Sequence, residues 1–90
     1  MAKNSLHGAY DANADTLYLS FNSTAPAVSR EEDAPGLYWR YALDDGSLIG
    51  VTILDFDAHW SGQRAELLDE LVSKLQVSRK QAQCVLDSVH

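Results

Sequence analysis

Three side chains that could bind a metal ion or transfer protons occupy every second position near the middle of the chain. Asp55, Asp57 and His59 lie in the stretch GVTILDFDAHW, residues 50–60. Every second side chain of a strand points to the same face, so a strand that continued through this stretch would bring two carboxylates and an imidazole together. Such a set can ligate a divalent metal or act as an acid and a base.

The same stretch also fits the end of a strand, where acidic residues shape a turn. Up to residue 53 the apolar side chains share the parity of the aspartates, and from Leu54 to Trp60 they take the opposite parity. This switch predicts that the strand ends at Asp55, a turn or capping residue, and that a linker with Trp60 leads to a helix. On this interpretation the chain has no metal, cofactor or catalytic residue. A small metal-binding protein or hydrolase that uses Asp55, Asp57 and His59 is an alternative.

Polar side chains near the end of the chain could instead contact nucleic acid. After a Val-Ser corner, the exposed side of the last predicted helix carries Arg79, Lys80, Gln81 and Gln83. Such side chains reach base edges in the recognition helix of a helix-turn-helix protein. Acids on the neighbouring helix, among them Asp69 and Glu70, repel phosphates. We therefore expect no nucleic-acid partner, and a DNA-binding regulator that uses the last helix is the second alternative.

A third group of side chains would contact another protein. Tyr18, Tyr38 and Arg40 share the outward face of predicted strands, and aromatic residues with arginine are typical of interface centres. Packing of the C-terminal tail across that face within the same chain is the competing interpretation. The predicted helices add apolar positions for a partner, Leu68, Leu71, Val85 and Val89. We expect a homodimer or a larger homo-oligomer through these positions.

Short alternating runs from residue 6 to 55 must position these side chains. TLYLSF and LYWRYAL place apolar residues on one face and Tyr18 or Tyr38 on the other, which is typical of strands with one covered face. LIGVTIL is apolar throughout, as in a covered central strand, and the DDGS before it favours a tight turn. AVSREED is polar and predicts an edge strand. Together these runs predict an antiparallel β-meander of four or five strands.

The period of the sequence changes at Ser61 from that of strands to that of helices. SGQRAELLDELVSKLQ repeats apolar residues at steps of one, three and four. VSRKQAQCVLDSV follows at once, with Ser78 and Gln81 in the spacing of a capping box. These stretches predict a helical hairpin over residues 61–90 that packs on the sheet. The fold class is therefore α+β, in a single domain over residues 1–90.

Composition places the protein among small globular chains. Its 90 residues, 46% hydrophobic and 22% charged, support one core. The net charge is −6, which disfavours binding to a phosphate backbone. No apolar run has the length of a membrane span or a signal peptide. The one cysteine, Cys84, fits a reducing cytoplasm, and we expect its thiol to be buried and inert.

Several linked motifs in residues 9–55 resemble one small bacterial and archaeal family. AYDANADTLYLSF combines a Tyr-Asp pair, an acidic-alanine turn and a hydrophobic strand, and SREED, a hydrophobic strand, an Asp-Gly turn and IGVTILD follow it. This order resembles the domain-of-unknown-function family 2283. The resemblance implies a small β-meander packed on helix and implies no established activity. Some members resemble antitoxin partners of small toxins by their genetic setting.

The C-terminal stretch is similar to a second family over a shorter length. AELLDELVSKLQVSRKQAQCVLDSV, residues 65–89, resembles the N-terminal helical hairpin of the bacterial histone-like HU proteins. In that family the hairpin builds a dimer core and basic β-arms grip DNA. This sequence has no counterpart of those arms, so the resemblance implies only two helices that bury apolar faces against a partner.

The residues and the resemblances together favour assembly over catalysis. We expect a noncatalytic protein-interaction module from a bacterium that acts as a homo-oligomer in the cytoplasm, with an antitoxin-like or regulatory role. Its partners would be a second copy of itself and a protein such as a small toxin. We expect no cofactor and no contact with a membrane.

Overall fold

The chain forms five β-strands followed by three α-helices. A computed structural model describes residues 6–21, 26–32 and 34–88. The strands are β1 (Leu6–Asp11), β2 (Thr16–Phe21), β3 (Ala27–Glu31), β4 (Leu37–Ala42) and β5 (Leu48–Leu54). The helices are α1 (Phe56–Trp60), α2 (Arg64–Leu75) and α3 (Arg79–Ser88). The predicted α+β class, with an antiparallel sheet and C-terminal helices, is confirmed.

The five strands form one antiparallel sheet in the order β1-β2-β5-β4-β3. This order differs from a continuous meander, because the chain passes from β2 to the far edge, where β3 begins, and returns through β4 to β5. Strand β5 therefore has two neighbours and lies at the centre, as its uninterrupted apolar run predicts. The polar strand β3 lies at an edge, also as predicted.

One face of the sheet is covered by the helices. Its centre consists of two rows of side chains across β2, β5 and β4, Leu17-Ile53-Leu37 and Leu19-Val51-Trp39. Each of these six side chains is at most 1% exposed, and they form one apolar cluster with the buried residues of all three helices. Burial of a side chain of this size contributes roughly 1.5–3 kcal/mol, so these rows are a main source of the fold's stability.

The two long helices bury the apolar stripes that their sequences predict. Helix α2 buries Leu67, Leu68, Leu71 and Leu75. Helix α3 buries Ala82, Val85 and Leu86. The Ser78 hydroxyl accepts a hydrogen bond from the Gln81 N–H at 3.0 Å, which confirms the predicted cap. Between the helices Gln76 adopts a left-handed φ of 56°, and its N–H donates to the Val72 carbonyl oxygen, so α2 ends there and three residues connect it to α3.

Helix α1 replaces the linker that the sequence predicts between the sheet and the helical hairpin. Phe56 and Trp60, at its two ends, are 0% and 3% exposed and belong to the core cluster. A five-residue helix is little more than one turn long, so it leaves no periodic signal in the sequence. The following helix begins at Arg64 instead of Ser61.

Candidate functional site

The structure places Asp55, Asp57 and His59 at the junction of β5 and α1 and does not bring all three side chains to one face: Asp55 and His59 line one groove, and Asp57 does not line it. Strand β5 ends at Leu54, Asp55 has a left-handed φ of 54°, and the other two residues lie in α1. Two positions along a helix correspond to a rotation of about 200°, so the shared face of a straight strand is lost. Asp55 is the N-cap residue of α1, as the turn interpretation predicts.

The groove beside Asp55 and His59 is shallow. Its volume is about 270 Å³, and it is lined by Glu31, Pro35, Gly36, Leu54, Asp55 and His59. Pockets that bind small molecules usually enclose about 300–1,000 Å³. Within residues 6–21, 26–32 and 34–88, no three His, Cys, Asp or Glu side chains are grouped as ligands of a metal ion would be.

The side chain that caps α1 comes from the hairpin turn between β1 and β2. The Asp15 carboxylate accepts hydrogen bonds from the backbone N–H of Asp57 at 2.9 Å and of Ala58 at 3.0 Å. The Phe56 N–H donates to the Asp15 carbonyl oxygen at 3.0 Å. Because the first N–H groups of a helix have no partners inside it, the turn supplies the acceptors that α1 lacks.

Tyr10 on β1 holds this capping carboxylate in place. Its hydroxyl donates to Asp15 Oδ1 at 2.7 Å and lies 3.5 Å from Asp57 Oδ2. The hydrogen bond to Asp15, followed by burial and by the charges of both carboxylates, raises the pKa of the Tyr10 hydroxyl from its usual 10.0 to about 12. Tyr10 is therefore a hydrogen-bond donor at neutral pH and not a base.

Arg64, at the start of α2, completes the junction. Its guanidinium group lies 3.7 Å from Asp57 Oδ1 and 4.2 Å from the centre of the Phe56 ring. Both contacts favour a cation at this position. Together with the bonds of Asp15, they join the β1–β2 turn to α1 and α2. The contacts of this junction are structural: they connect the sheet to the helices.

Sequence reasoning missed Tyr10 and Asp15 as parts of this junction. Asp15 and the helix that it caps are separated by more than 40 residues, so no local spacing connects them. One signal is present in the sequence: the turn DANAD ends in an aspartate, which tolerates the positive φ of 50° found at Asp15 better than most residues do. That signal predicts the turn but not the helix that it contacts.

The opposite face of the sheet has two rows of side chains that no described helix covers, and we call it the open face. One row crosses all five strands through Ala9, Tyr18, Thr52, Tyr38 and Glu31. The other runs through His7, Ser20, Gly50, Arg40 and Ser29. None of these ten residues belongs to the apolar core cluster. The structure thus brings Tyr18, Tyr38 and Arg40 to one surface, and the tail packs on the other face.

The centre of the open face is formed by small residues, and a tyrosine lies on either side of it. Tyr18 is 47% exposed, and Tyr38 and Arg40 are partly exposed. Between the tyrosines lies Thr52, and beside it Gly50, whose position excludes a side chain because a Cβ there would be 2.5 Å from the Leu19 carbonyl oxygen. The result is a shallow amphipathic surface with aromatic groups on either side of its centre.

The helical residues that the sequence predicts as partner contacts are used within the chain. Leu68 is 7% exposed, Leu71 0% and Val85 9%, and all three belong to the cluster that covers the sheet. This burial corrects the prediction, because side chains packed against the chain's own sheet are not on the surface that a partner would touch. Val89, the fourth of these positions, lies outside the described residues.

The polar side of α3 is exposed, as the sequence predicts. Lys80 and Gln83 are exposed and Gln81 is partly exposed. Arg79 donates to Asp69 Oδ1 on α2 at 2.8 Å, so one of the two basic groups already faces an acid. Contact of this helix with nucleic acid stays an alternative prediction.

Cys84 is exposed, which corrects the prediction of a buried thiol. Both Ala82 and Leu86, which α3 buries, are two positions away, a rotation of about 200° around the helix axis. The cysteine therefore lies opposite the buried stripe.

A second polar cluster ties the β3–β4 hairpin to α2. Glu32 Oε1 accepts hydrogen bonds from the Tyr41 hydroxyl at 2.6 Å and from Lys74 Nζ at 3.1 Å. The hydrogen bond from Tyr41, followed by that from Lys74, lowers the pKa of the Glu32 carboxyl below its usual value. Lys74 also lies 5.6 Å from the centre of the Trp39 ring, whose Nε1–H donates to the Glu32 carbonyl oxygen. This cluster fixes α2 over β4.

Comparison with known proteins gives one match. The model of the family described as a protein of unknown function (DUF2283) matches residues 9–56. This span includes the capping Asp15 and both tyrosines of the open face. No curated protein and no solved structure matches the chain, and the resemblance of its helices to HU proteins is not confirmed. In the described part of the chain, no helix is both long and apolar enough to cross a membrane.

Proposed function

The chain belongs to the DUF2283 family of proteins of unknown function, and we propose that it is a noncatalytic protein-interaction module that assembles with copies of itself. Its surface for a partner protein is the open face of the sheet. The observation that carries the proposal is the position of Tyr18, Tyr38 and Arg40, which share this face, away from the helices.

The composition of the open face favours protein binding. Tyrosine and arginine are the residue types that, with tryptophan, contribute most to binding at interface centres. Tyr18 and Tyr38 lie on either side of Thr52 in one row, and Arg40 is in the next row. Thr52, the residue between the two rings, is small and partly exposed, so a partner can approach the sheet closely there.

The area of the open face supports assembly as well as partner binding. Strands about 4.8 Å apart, each of about six residues with a rise of about 3.3 Å, give this five-stranded sheet a face of roughly 450–500 Å². A standard interface takes about 800 Å² from each partner. Two copies with their open faces side by side would reach that area, whereas one copy falls short of it.

The positions of the acidic residues support a role without catalysis. Asp15 caps α1, Asp57 lies beside Arg64, and Glu32 accepts bonds from Tyr41 and Lys74. Each of these contacts connects two elements of the fold. Carboxylates are expected to connect elements of the fold in this way when their role is to stabilise the domain.

The charge of the chain indicates the class of partner. A net charge of −6 attracts a positively charged protein and speeds its association. We therefore propose a small basic protein as the partner and a regulatory role for this chain. A toxin held by its antitoxin is one such pair.

The partner proposal can be tested with the product of the reading frame next to this gene. Isothermal titration calorimetry with the purified product should give binding that Arg40→Ala and Tyr18→Ser each weaken at least tenfold, as expected when an interface loses a central side chain. Lys80→Ala is the matched control for Arg40→Ala, because it makes the same change of charge on α3. We expect it to change the affinity less than twofold.

Two outcomes would contradict the proposal. If the neighbouring product does not bind, the antitoxin-like role is excluded for that pair. If it binds and the two open-face variants, shown to be folded by circular dichroism, bind as well as the wild type, the open face is not the partner surface.

A further inference from the structure

The outer edge of β3 carries backbone groups that no described strand pairs with. In the β3–β4 ladder the Leu43 N–H donates to the Pro26 carbonyl oxygen, and the Glu32 N–H donates to that of Leu37. In an antiparallel ladder, residues with their hydrogen bonds directed to the neighbouring strand alternate with residues whose groups point away. The backbone groups of Ala27, Ser29 and Glu31 therefore point outward, away from β4.

We propose that this edge pairs with the same edge of a second copy, so that two sheets join into one continuous antiparallel sheet. The assignment rests on the self-association proposed above and specifies its surface. Helix α3 lies close to the other edge strand, β1, whereas the main neighbour of β3 is β4. Most residues of both edge strands are exposed, and an edge without a helix beside it pairs readily with another strand.

Two copies of β3 are complementary to each other in one register. With Ser29 opposite Ser29 of the second copy, Ala27 faces Glu31, and each facing pair exchanges two hydrogen bonds. The three outward residues of each copy then form about six bonds across a twofold axis. Twofold symmetry is the usual arrangement of a homodimer.

The charges of β3 select this register over its neighbours. In it, Arg30 lies opposite Val28 of the second copy, so no two like charges face each other. A shift by two residues in one direction places Arg30 opposite Arg30, and like charges directly opposite are destabilising. A shift in the other direction leaves fewer outward residues paired. The charges that discourage random pairing of this edge therefore permit one specific pairing.

Apolar groups beside the edge favour the same arrangement. Val28 and Leu43 are 40% and 61% exposed, and both line an open groove of about 430 Å³ beside Tyr41. In the proposed pair, the aliphatic part of Arg30 of the second copy lies against Val28. Pairing thus covers exposed apolar surface in addition to forming hydrogen bonds.

The consequence for function is a larger binding surface. A continuous sheet of ten strands carries the open faces of both copies on one side, which doubles the area that a partner can contact. Ser29 and Glu31 are open-face residues at the joint, so the surface is not interrupted there.

The edge can be tested with a proline at Ser29, whose N–H points away from β4. Proline is tolerated on an edge strand when its nitrogen faces solvent, so Ser29→Pro should stay folded by circular dichroism and lose two donors in each dimer. Light scattering should give the wild type twice the 9.9 kDa of one chain. Ser29→Pro should raise the dimer dissociation constant about thirtyfold. Ser29→Ala keeps the N–H and should not change it.

A crosslink gives a second, independent readout. In a Cys84→Ser background, Ser29→Cys places two thiols at the twofold axis with Cα atoms about 5.5 Å apart, a distance that a disulfide spans. Mild oxidation should therefore produce covalent dimers. Ser20→Cys, in the same background and on the open face, is the matched control and should stay monomeric under denaturing conditions.

The outcomes separate this inference from the proposed function. A wild-type monomer at several hundred micromolar would overturn the pairing and the self-association together, while partner binding by the open face is measured separately. A dimer that is unaffected by a folded Ser29→Pro, or that crosslinks at Ser20 and not at Ser29, would overturn the β3 edge alone. If Ser29→Pro does not fold, Ser29→Lys replaces it, because two lysines at the axis repel each other and should also weaken the dimer.

Discussion

Replacement of Asp15 by alanine should destabilise the protein more than replacement of any ordinary surface aspartate. The change removes the acceptor for two N–H groups of α1, at 2.9 and 3.0 Å, and the loss of an N-cap costs about 1 kcal/mol. It also puts alanine at a φ of 50°, a left-handed conformation that costs roughly 1–2 kcal/mol without the local hydrogen bonds of Asp or Asn. The sum is about 2–3 kcal/mol, and the 2.7 Å hydrogen bond from the Tyr10 hydroxyl is lost in addition.

This loss is a large part of the stability of a small domain. Native domains are stable by about 5–15 kcal/mol, and for a domain of this size each kcal/mol shifts the melting temperature by about 4–8 °C. Asp15→Ala should therefore melt at least 8 °C below the wild type. Urea unfolding can be followed by the fluorescence of Trp39 and Trp60, which are 0% and 3% exposed. All variants are compared at one protein concentration, because self-association raises apparent stability.

Two variants make the result specific to the cap. Asp15→Asn keeps one acceptor oxygen and tolerates a positive φ, so it should lose less than half as much free energy of unfolding as Asp15→Ala. Asp44→Ala removes an exposed aspartate from the β4–β5 turn and should change the free energy by less than about 0.5 kcal/mol. An effect of Asp15→Ala no larger than that of Asp44→Ala would refute the role of Asp15 as the cap of α1.

Two further predictions concern the Tyr10 hydroxyl, which donates to Asp15, and the left-handed residue Gln76 at the end of α2. The pKa of Tyr10 is raised from 10.0 to about 12 in the folded chain, so the stability from its hydroxyl is complete below about pH 10 and is lost as the pH rises toward 12. Urea unfolding should therefore show the advantage of the wild type over Tyr10→Phe shrinking across that range, and a constant difference would contradict the bond to Asp15. Gln76→Gly should raise the free energy of unfolding by up to about 1 kcal/mol, because Gln76 has a φ of 56° where glycine is favoured. Gln63→Gly, at a φ of −132°, should give no gain, and destabilisation by Gln76→Gly would show that its conformation is not strained.

The strands and the two long helices could be predicted because their signals are local. Alternation in TLYLSF and LYWRYAL identified the covered face, and the leucine steps of α2 identified its buried stripe. The strand order could not be read in the same way, since it depends on contacts between distant segments. One clue was available: an apolar strand such as β5 needs two neighbours, and as the last strand of a meander it would have only one.

The sequence predicted the position of a site residue only where the alternation along one strand decides which face of the sheet its side chain is on. The parity of Tyr18, Tyr38 and Arg40 placed them on one face, and the structure agrees. Which surfaces the helices bury depends on how the whole chain packs its apolar side chains, and no single segment of the sequence shows this. Leu68 and Leu71 were therefore predicted to contact a partner, although they pack against the chain's own sheet.

At the junction of β5 and α1, too, the sequence predicted the local feature and missed the contact between distant segments. The switch of parity predicted where the strand ends, and Asp55 is indeed an N-cap residue. The carboxylate that caps the helix belongs to Asp15, in a turn that only the folded sheet brings near.

The partner surface can be located most directly through the tyrosines. The chain has four of them: Tyr18 and Tyr38 lie on the open face, whereas Tyr10 and Tyr41 pack against the core on the helix side. The protein labelled with 3-fluorotyrosine can be titrated with the product of the neighbouring reading frame and followed by fluorine NMR. Binding through the open face predicts that the signals of Tyr18 and Tyr38 shift and those of Tyr10 and Tyr41 do not. A complex that leaves Tyr18 and Tyr38 unchanged would contradict it.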